Sequence, residues 1–198
     1  MTNKLIILVL TAFVIASCGD DSTPGPRPRM YPRIFYPVKS YQLQDTSLCA
    51  FNFKVPAYGH FSQDSFRFEG EPEHPCWFDI KFDSLNASLY CSYYNLKSGK
   101  SISELVNDAF TIAGKHNIKA NYRKESVINN GHGVVGVLFE IEGPVASPLQ
   151  FYLTDEKNHF LRGSFYFDSK VNPDSTAPVL SFIRPDIDTL MASFRWKN

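Results

Sequence analysis

From residue 49 onward, the apolar side chains of this chain recur at every second position. Cys49, Phe51, Phe53 and Val55 alternate with Ala50, Asn52 and Lys54, and Cys76, Phe78, Ile80 and Phe82 repeat the pattern. Asp83-Ser84 can turn the chain, and Leu85, Ala87, Leu89, Cys91 and Tyr93 carry the alternation on. A period of two puts successive side chains on opposite faces of an extended strand, so these runs read as half-buried strands and the last two as a hairpin. Phe66 and Phe68 make a shorter piece. Ile118 to Ile128 reads as a long strand and Asn129-Asn130-Gly131 as a turn. Val134 to Ile141 is apolar on both faces, the mark of a central strand covered twice. Segments 148–154 and 159–167 flank the turn Asp155-Glu156-Lys157-Asn158. A load of 17 Phe, 10 Tyr and 2 Trp suits strands and large buried contacts.

Two stretches switch to helical spacing. Ser101 with Glu104 is a capping box, and Ile102, Leu105, Val106, Ala109, Ile112 and Ala113 follow as one apolar face, with Gly114 at the expected end. Near the C-terminus Pro178 suits a first helical turn, and Ile183, Ile187, Leu190, Met191 and Phe194 share a face. Pro185 interrupts that face, so a kink or a break into two pieces is expected there. Strands joined mainly by hairpins, with two helices to cover them, give an α+β single domain: an antiparallel sheet of six to seven strands under two main helices. The order resembles the PsbP-like sandwich, an analogy of fold that carries no function.

Lys4 is followed by a twelve-residue uncharged run, residues 5 to 16, too short to span a bilayer comfortably. A basic start, an apolar run and small residues at its end are the layout of a secretory signal. Ile15-Ala16-Ser17-Cys18 looks like a bacterial lipobox, which implies cleavage before Cys18 and lipid on its sulfur and new amino group. The expected division is a signal peptide over 1–17, lipidated Cys18 with a proline-rich linker over 18–33, and the globular domain over 34–198. The linker has prolines at 24, 26, 28 and 32. Extended, its last fifteen residues reach roughly 45 Å.

Lys+Arg and Asp+Glu both number 20, which removes the basic footprint of a nucleic-acid binder. Cleavage before Cys18 takes away Lys4 alone, so the net charge of the remainder falls from zero to about −1. On that balance nothing steers the domain onto anionic lipid, and the acyl chains must do the holding.

With Cys18 assigned to lipid, Cys49, Cys76 and Cys91 remain. An envelope compartment permits disulfides. Cys49 and Cys76 each begin a strand, where a bridge can form, and closing that loop is worth about 3–4 kcal/mol. Cys91, among apolar neighbours, reads as a small buried hydrophobe. The alternative is three free thiols.

The chain carries no GxSxG, HExxH, P-loop or GxGxxG motif. Glu69, Glu71, Glu73, His74 and Cys76 are the densest metal-type cluster, but two prolines hold that loop extended, and the reading is an acidic solvated loop with no metal and no cofactor. Asp155 and His159 could form an acid–base pair at a hairpin end. A structural polar cluster is the favoured reading, with Arg162 as an alternative partner for Asp155. Tyr90, Ser92 and Tyr94 share the face opposite Leu89 and Cys91 and would stack on sugar rings if exposed.

The stretches Pro75-Cys76-Trp77, 115–120 (KHNIKA), 140–167 (EIEGPVASPLQFYLTDEKNHFLRGSFYF), DSTAPVLSFIRPDID from 174 and the closing FRWK resemble the gliding-motility lipoprotein family GldD of Bacteroidetes. The resemblance implies a non-enzymatic envelope lipoprotein required for gliding and for type IX secretion, working beside other Gld lipoproteins, GldJ in particular. It supplies no catalytic residues. It implies a lipid anchor facing the periplasm, the outer membrane being favoured over the inner. The expected partner-contact segment is the proline-stiffened loop 142–148, with Glu142, Pro144, Val145, Ser147 and Pro148 as candidate contacts, because prolines lower the entropy cost of ordering a loop on a partner. The rival reading is an envelope glycan- or lipid-binding module.

Overall fold

The computed structural model describes residues 33–45, 48–63 and 74–197. The signal, Cys18, the proline-rich linker, Phe66, Phe68 and the carboxylates Glu69, Glu71 and Glu73 lie outside the described residues. Apart from Arg33, the described residues belong to one compact unit, Ile34–Asn198.

The elements in chain order are β1 (Tyr41–Asp45), β2 (Phe51–Pro56), β3 (His60–Gln63), β4 (Phe78–Phe82), β5 (Ala87–Asn95), α1 (Ile102–Gly114), β6 (Tyr122–Asn129), β7 (Val135–Glu142), β8 (Leu149–Thr154), β9 (His159–Phe167), α2 (Pro173–Ser193) and β10 (Arg195–Trp196). Seven strands form one sheet in the order β3-β4-β5-β9-β8-β7-β6, and β1, β2 and β10 form a second. All the pairings are antiparallel. This is the α+β class expected from the alternation.

Each face of the large sheet is covered by its own apolar cluster. On one face Phe78, Ile80, Leu89, Phe151 and Phe165 meet Phe51, Phe53 and Val55 of β2 and Ile183, Ile187 and Phe194 of the C-terminal segment. Phe53 stacks on Phe194 at 5.9 Å and on Phe78 at 5.5 Å between ring centroids. Such pairs add about 0.5–1.5 kcal/mol each beyond the area they bury. On the other face Leu105, Ala109 and Ala113 of α1 lie on Phe139, Ile141, Tyr152 and Phe160. Strand β7 contributes Leu138 to the first cluster and Phe139 and Ile141 to the second, so it is covered on both faces as its composition required.

The residue 49–55 strand belongs to the small sheet, because its buried residues close the core from the far side instead of extending the main sheet. Leu85 sits in a 3-10 turn, Asp83–Leu85, which ends on Asn86 in the left-handed region. The capping box of α1 forms as expected. Helix α1 ends at Gly114 as expected, but a 3-10 turn follows over Lys115–Ile118, so the next strand starts at Tyr122, four residues later than expected. Helix α2 begins at Pro173 behind the cap residue Asn172, five residues before Pro178, and runs unbroken through Pro185. Proline at 185 withdraws the N–H that the Ser181 carbonyl would accept. The neighbouring carbonyls find side-chain donors instead: Lys39 Nζ, from outside the helix, donates to the Phe182 carbonyl at 2.7 Å, and Thr189, one turn further along the same helix, donates to the Pro185 carbonyl at 2.8 Å. One tertiary and one local side-chain bond here accompany the helix past its breaker.

Candidate functional site

The end of α1, the start of β6, the loop from β7 to β8 and the start of α2 meet at one end of the large sheet, and a groove of about 460 Å³ opens between the last two. Gly143 sets the path of the first wall. Its φ of +124° favours glycine, and a Cβ there would lie 2.9 Å from both Asn121 N and the Lys119 carbonyl oxygen. The Asn121 N–H donates to the Glu142 carbonyl at 2.8 Å, and the Ile141 N–H donates to the Pro148 carbonyl at 2.9 Å, closing the loop at its base. The second wall is Phe167 with Val171, Pro173, Ala177 and Leu180. Asn172 caps α2, its side chain accepting from Ser175 N and its carbonyl from the hydroxyls of Ser175 and Thr176.

The candidate contact residues do not share one orientation. Val145 is buried in the cluster under α1, and Ser147 is fully buried with its hydroxyl donating to the Leu149 carbonyl at 3.3 Å. Both anchor the loop and neither is presented to a partner. Glu142 and Pro144 are exposed and Pro148 is half-buried. The chain is extended here, so side chains alternate between core and solvent. The outward set is Glu142, Pro144, Ala146 and Pro148, facing an exposed Val171 across the groove. Prolines and aliphatics line both walls, together with the charged residues Glu142, Lys170 and Asp174.

Asp155 and His159 are neighbours but not a dyad. Asp155 Oδ1 accepts the backbone N–H groups of Lys157, Asn158 and His159 at 3.0, 2.8 and 2.8 Å. Burial alone would raise its pKa, and these three donors outweigh burial and hold it below the ordinary carboxylate value. His159 Nδ1 lies 2.7 Å from the Tyr93 hydroxyl and its ring stacks on Trp196 at 5.1 Å, while burial lowers its affinity for protons. Asp155, His159 and Trp196 line a second cleft of about 510 Å³ with Lys97 and Lys197. The carboxylate organises a turn, and the imidazole completes an aromatic stack.

The other sequence candidates are also placed. The row Tyr90, Ser92 and Tyr94 is no stacking platform: Tyr90 packs edge-on against Tyr166, Ser92 is buried, and Tyr94 lies edge-on to Trp77. His74 Nδ1 accepts the Cys76 N–H at 3.1 Å. Cys49 and Cys76 are joined sulfur to sulfur, with Cα atoms 5.6 Å apart, and Cys91 is a buried free thiol whose burial raises its pKa.

One polar centre escaped the sequence reading. The Asp186 carboxylate, buried on α2, accepts from Lys39 Nζ, from the Tyr41 hydroxyl at 2.5 Å and from the Tyr58 hydroxyl. Its signal was its place three residues after Ile183 and one before Ile187, within the apolar stripe.

A family model described as gliding motility lipoprotein GldD matches residues 21–196. The chain belongs to the GldD family of gliding motility lipoproteins. Membership associates it with gliding machinery and with a lipid-anchored place in the cell envelope. Among the described residues no helix is long and apolar enough to cross a membrane. None of the curated proteins compared with the chain matches it. Among solved structures the chain is similar to the solution structure of cyanobacterial PsbP (CyanoP) from Synechocystis sp. PCC 6803, with 13% identity, coverage of 87% of this chain and 99% of that one, and a TM-score of 0.45. That likeness says nothing about function.

Proposed function

We propose that this GldD-family chain is a non-enzymatic envelope lipoprotein, held in the outer membrane through acylated Cys18 and facing the periplasm. It supports gliding and type IX secretion by binding and stabilising partner Gld lipoproteins, GldJ among them. The observation that carries the reading is the groove between loop 142–148 and the start of α2, whose exposed prolines and aliphatics offer a stiff, apolar seat. A preordered seat loses little entropy on binding, and partners anchored in the same membrane meet at a raised effective concentration, so each contact can be individually weak. Acyl chains make the anchoring durable where one myristoyl-sized chain would not.

The test pairs Pro144→Asp with Val171→Asp, both at exposed positions, in cells carrying a tagged full-length chain. Loss of GldJ from affinity purification, with the chain still in the membrane fraction, is the expected result. Unchanged recovery removes the groove as the contact. Separately, Cys18→Ala is expected to release the chain from the membrane and stop cell spreading.

A further inference from the structure

A chain with no net charge carries a concentrated basic turn. Residues 115–124, KHNIKANYRK, hold four cations and no acid. They form the 3-10 turn after α1, a short link and the start of β6. Ile118, at the tip of that turn, is 91% exposed, and Tyr122 is 57% exposed. Both are large apolar side chains that the core leaves outside.

The basic groups differ in what holds them. Arg123 is bound to Glu125 at 2.7 Å and to Asn117, and Lys124 lies 3.5 Å from Glu140. Lys115 and Lys119 are exposed, flank Ile118 in sequence, and have no acid partner among the described residues. Glu142 faces Tyr122 across the β6–β7 ladder. Imidazole His116 is held toward its neutral form by burial and adds little charge near neutrality. Two free ammonium groups beside an exposed isoleucine and tyrosine match a membrane interface, where cations meet lipid phosphates and an apolar tip enters the headgroup–acyl boundary. An acidic protein partner would account for the lysines but leave Ile118 with no role.

We infer that the Lys115–Lys124 turn is a second membrane contact, which lays this end of the domain on a bilayer containing anionic phospholipid. Geometry permits it. A domain spanning Ile34–Asn198 has a radius of gyration of roughly 15 Å, and residues 19–33 reach roughly 45 Å when extended, so every face of the body is within range of the bilayer. The acyl anchor supplies permanence and the turn supplies orientation. Because Asn121 and the Gly143 backbone join this turn to the groove wall, the groove would be presented at the membrane surface. The inference rests on the lipid anchor and not on what occupies the groove.

The test uses the full lipidated chain in vesicles of phosphatidylethanolamine with or without phosphatidylglycerol. Amine labelling is read lysine by lysine by mass spectrometry. Labelling of Lys115 and Lys119 is expected to fall about fivefold on the anionic vesicles and to recover in high salt, with exposed Lys54 and Lys81 unchanged as references. Ile118→Ser, at a side chain outside the core, is expected to lose most of that protection. Pro144→Asp with Val171→Asp is expected to keep it, which separates this contact from the groove. Equal labelling on both vesicles overturns the inference. So does protection that appears only when envelope proteins are added, which would give the turn to a protein partner.

Discussion

Lys39 Nζ lies 3.0 Å from each carboxylate oxygen of Asp186, although 147 residues separate the two in sequence. The pair joins the segment entering the domain to the middle of α2, and Tyr36 and Lys39 extend the same clamp over the ring of Phe182, at 4.5 Å and 4.4 Å. Asp186→Ala leaves a lysine and two tyrosine hydroxyls without their acceptor. The expected cost is about 3 kcal/mol, read as a lower urea midpoint at unchanged m-value. A cost below the range of surface substitutions would show that the clamp is ornamental to stability.

The same carboxylate predicts an alkaline limit. The Tyr58 hydroxyl is pushed far above the ordinary tyrosine value by burial first and by donation to Asp186 second, and Tyr41 is raised by its bond to Asp186. Groups with raised folded values contribute fully below the unfolded value of about 10 and lose that contribution as pH rises beyond it. Thermal stability is therefore expected to fall from about pH 10 upward, and Tyr58→Phe to flatten that fall.

Histidines set the acid side. Burial lowers the proton affinity of His74, His116 and His159 in the folded chain. Below about pH 6.5 the unfolded chain binds more protons than the folded one, so stability present above that pH is lost as pH falls. Melting temperature followed from pH 7.5 to 5.5 is expected to drop, with a shallower slope in His159→Gln.

The bond between Cys49 and Cys76 closes a loop with a sequence separation of 27. We expect the chain taken from the envelope to be two mass units lighter before reduction than after it. Reduction is expected to cost about 3–4 kcal/mol in urea. An unreduced chain that alkylates at Cys49 and Cys76 would refute the bridge. Cys91, buried on β5, is expected to react only on unfolding.

Gly143→Ala places a Cβ against the backbone of residues 119–121 at an unfavourable positive φ. The expected loss is about 2–3 kcal/mol or a displaced loop. Partner recovery in the affinity experiment should fall with it, whereas Val127→Ser, at an exposed position outside the groove, should leave both readings unchanged.

What the amino-acid sequence determined alone were the features written in local physics. Alternation along 76–82 and 85–93 specified β4 and β5, because a period of two can bury only one face of a strand. Ser101 and Glu104 specified the start of α1, because their side chains satisfy its orphan N–H groups. The family resemblance lay in long contiguous strings such as 140–167. Tertiary structure decided everything that depends on what lies across the core. It set β2 into a separate sheet, brought Lys39 onto the Phe182 carbonyl beside Pro185 of α2, and turned Val145 and Ser147 inward from the 142–148 loop. It also left Ile118 outside the core beside its sequence neighbours Lys115 and Lys119, because which apolar side chains the core takes up is a matter of position across the fold and not of local pattern.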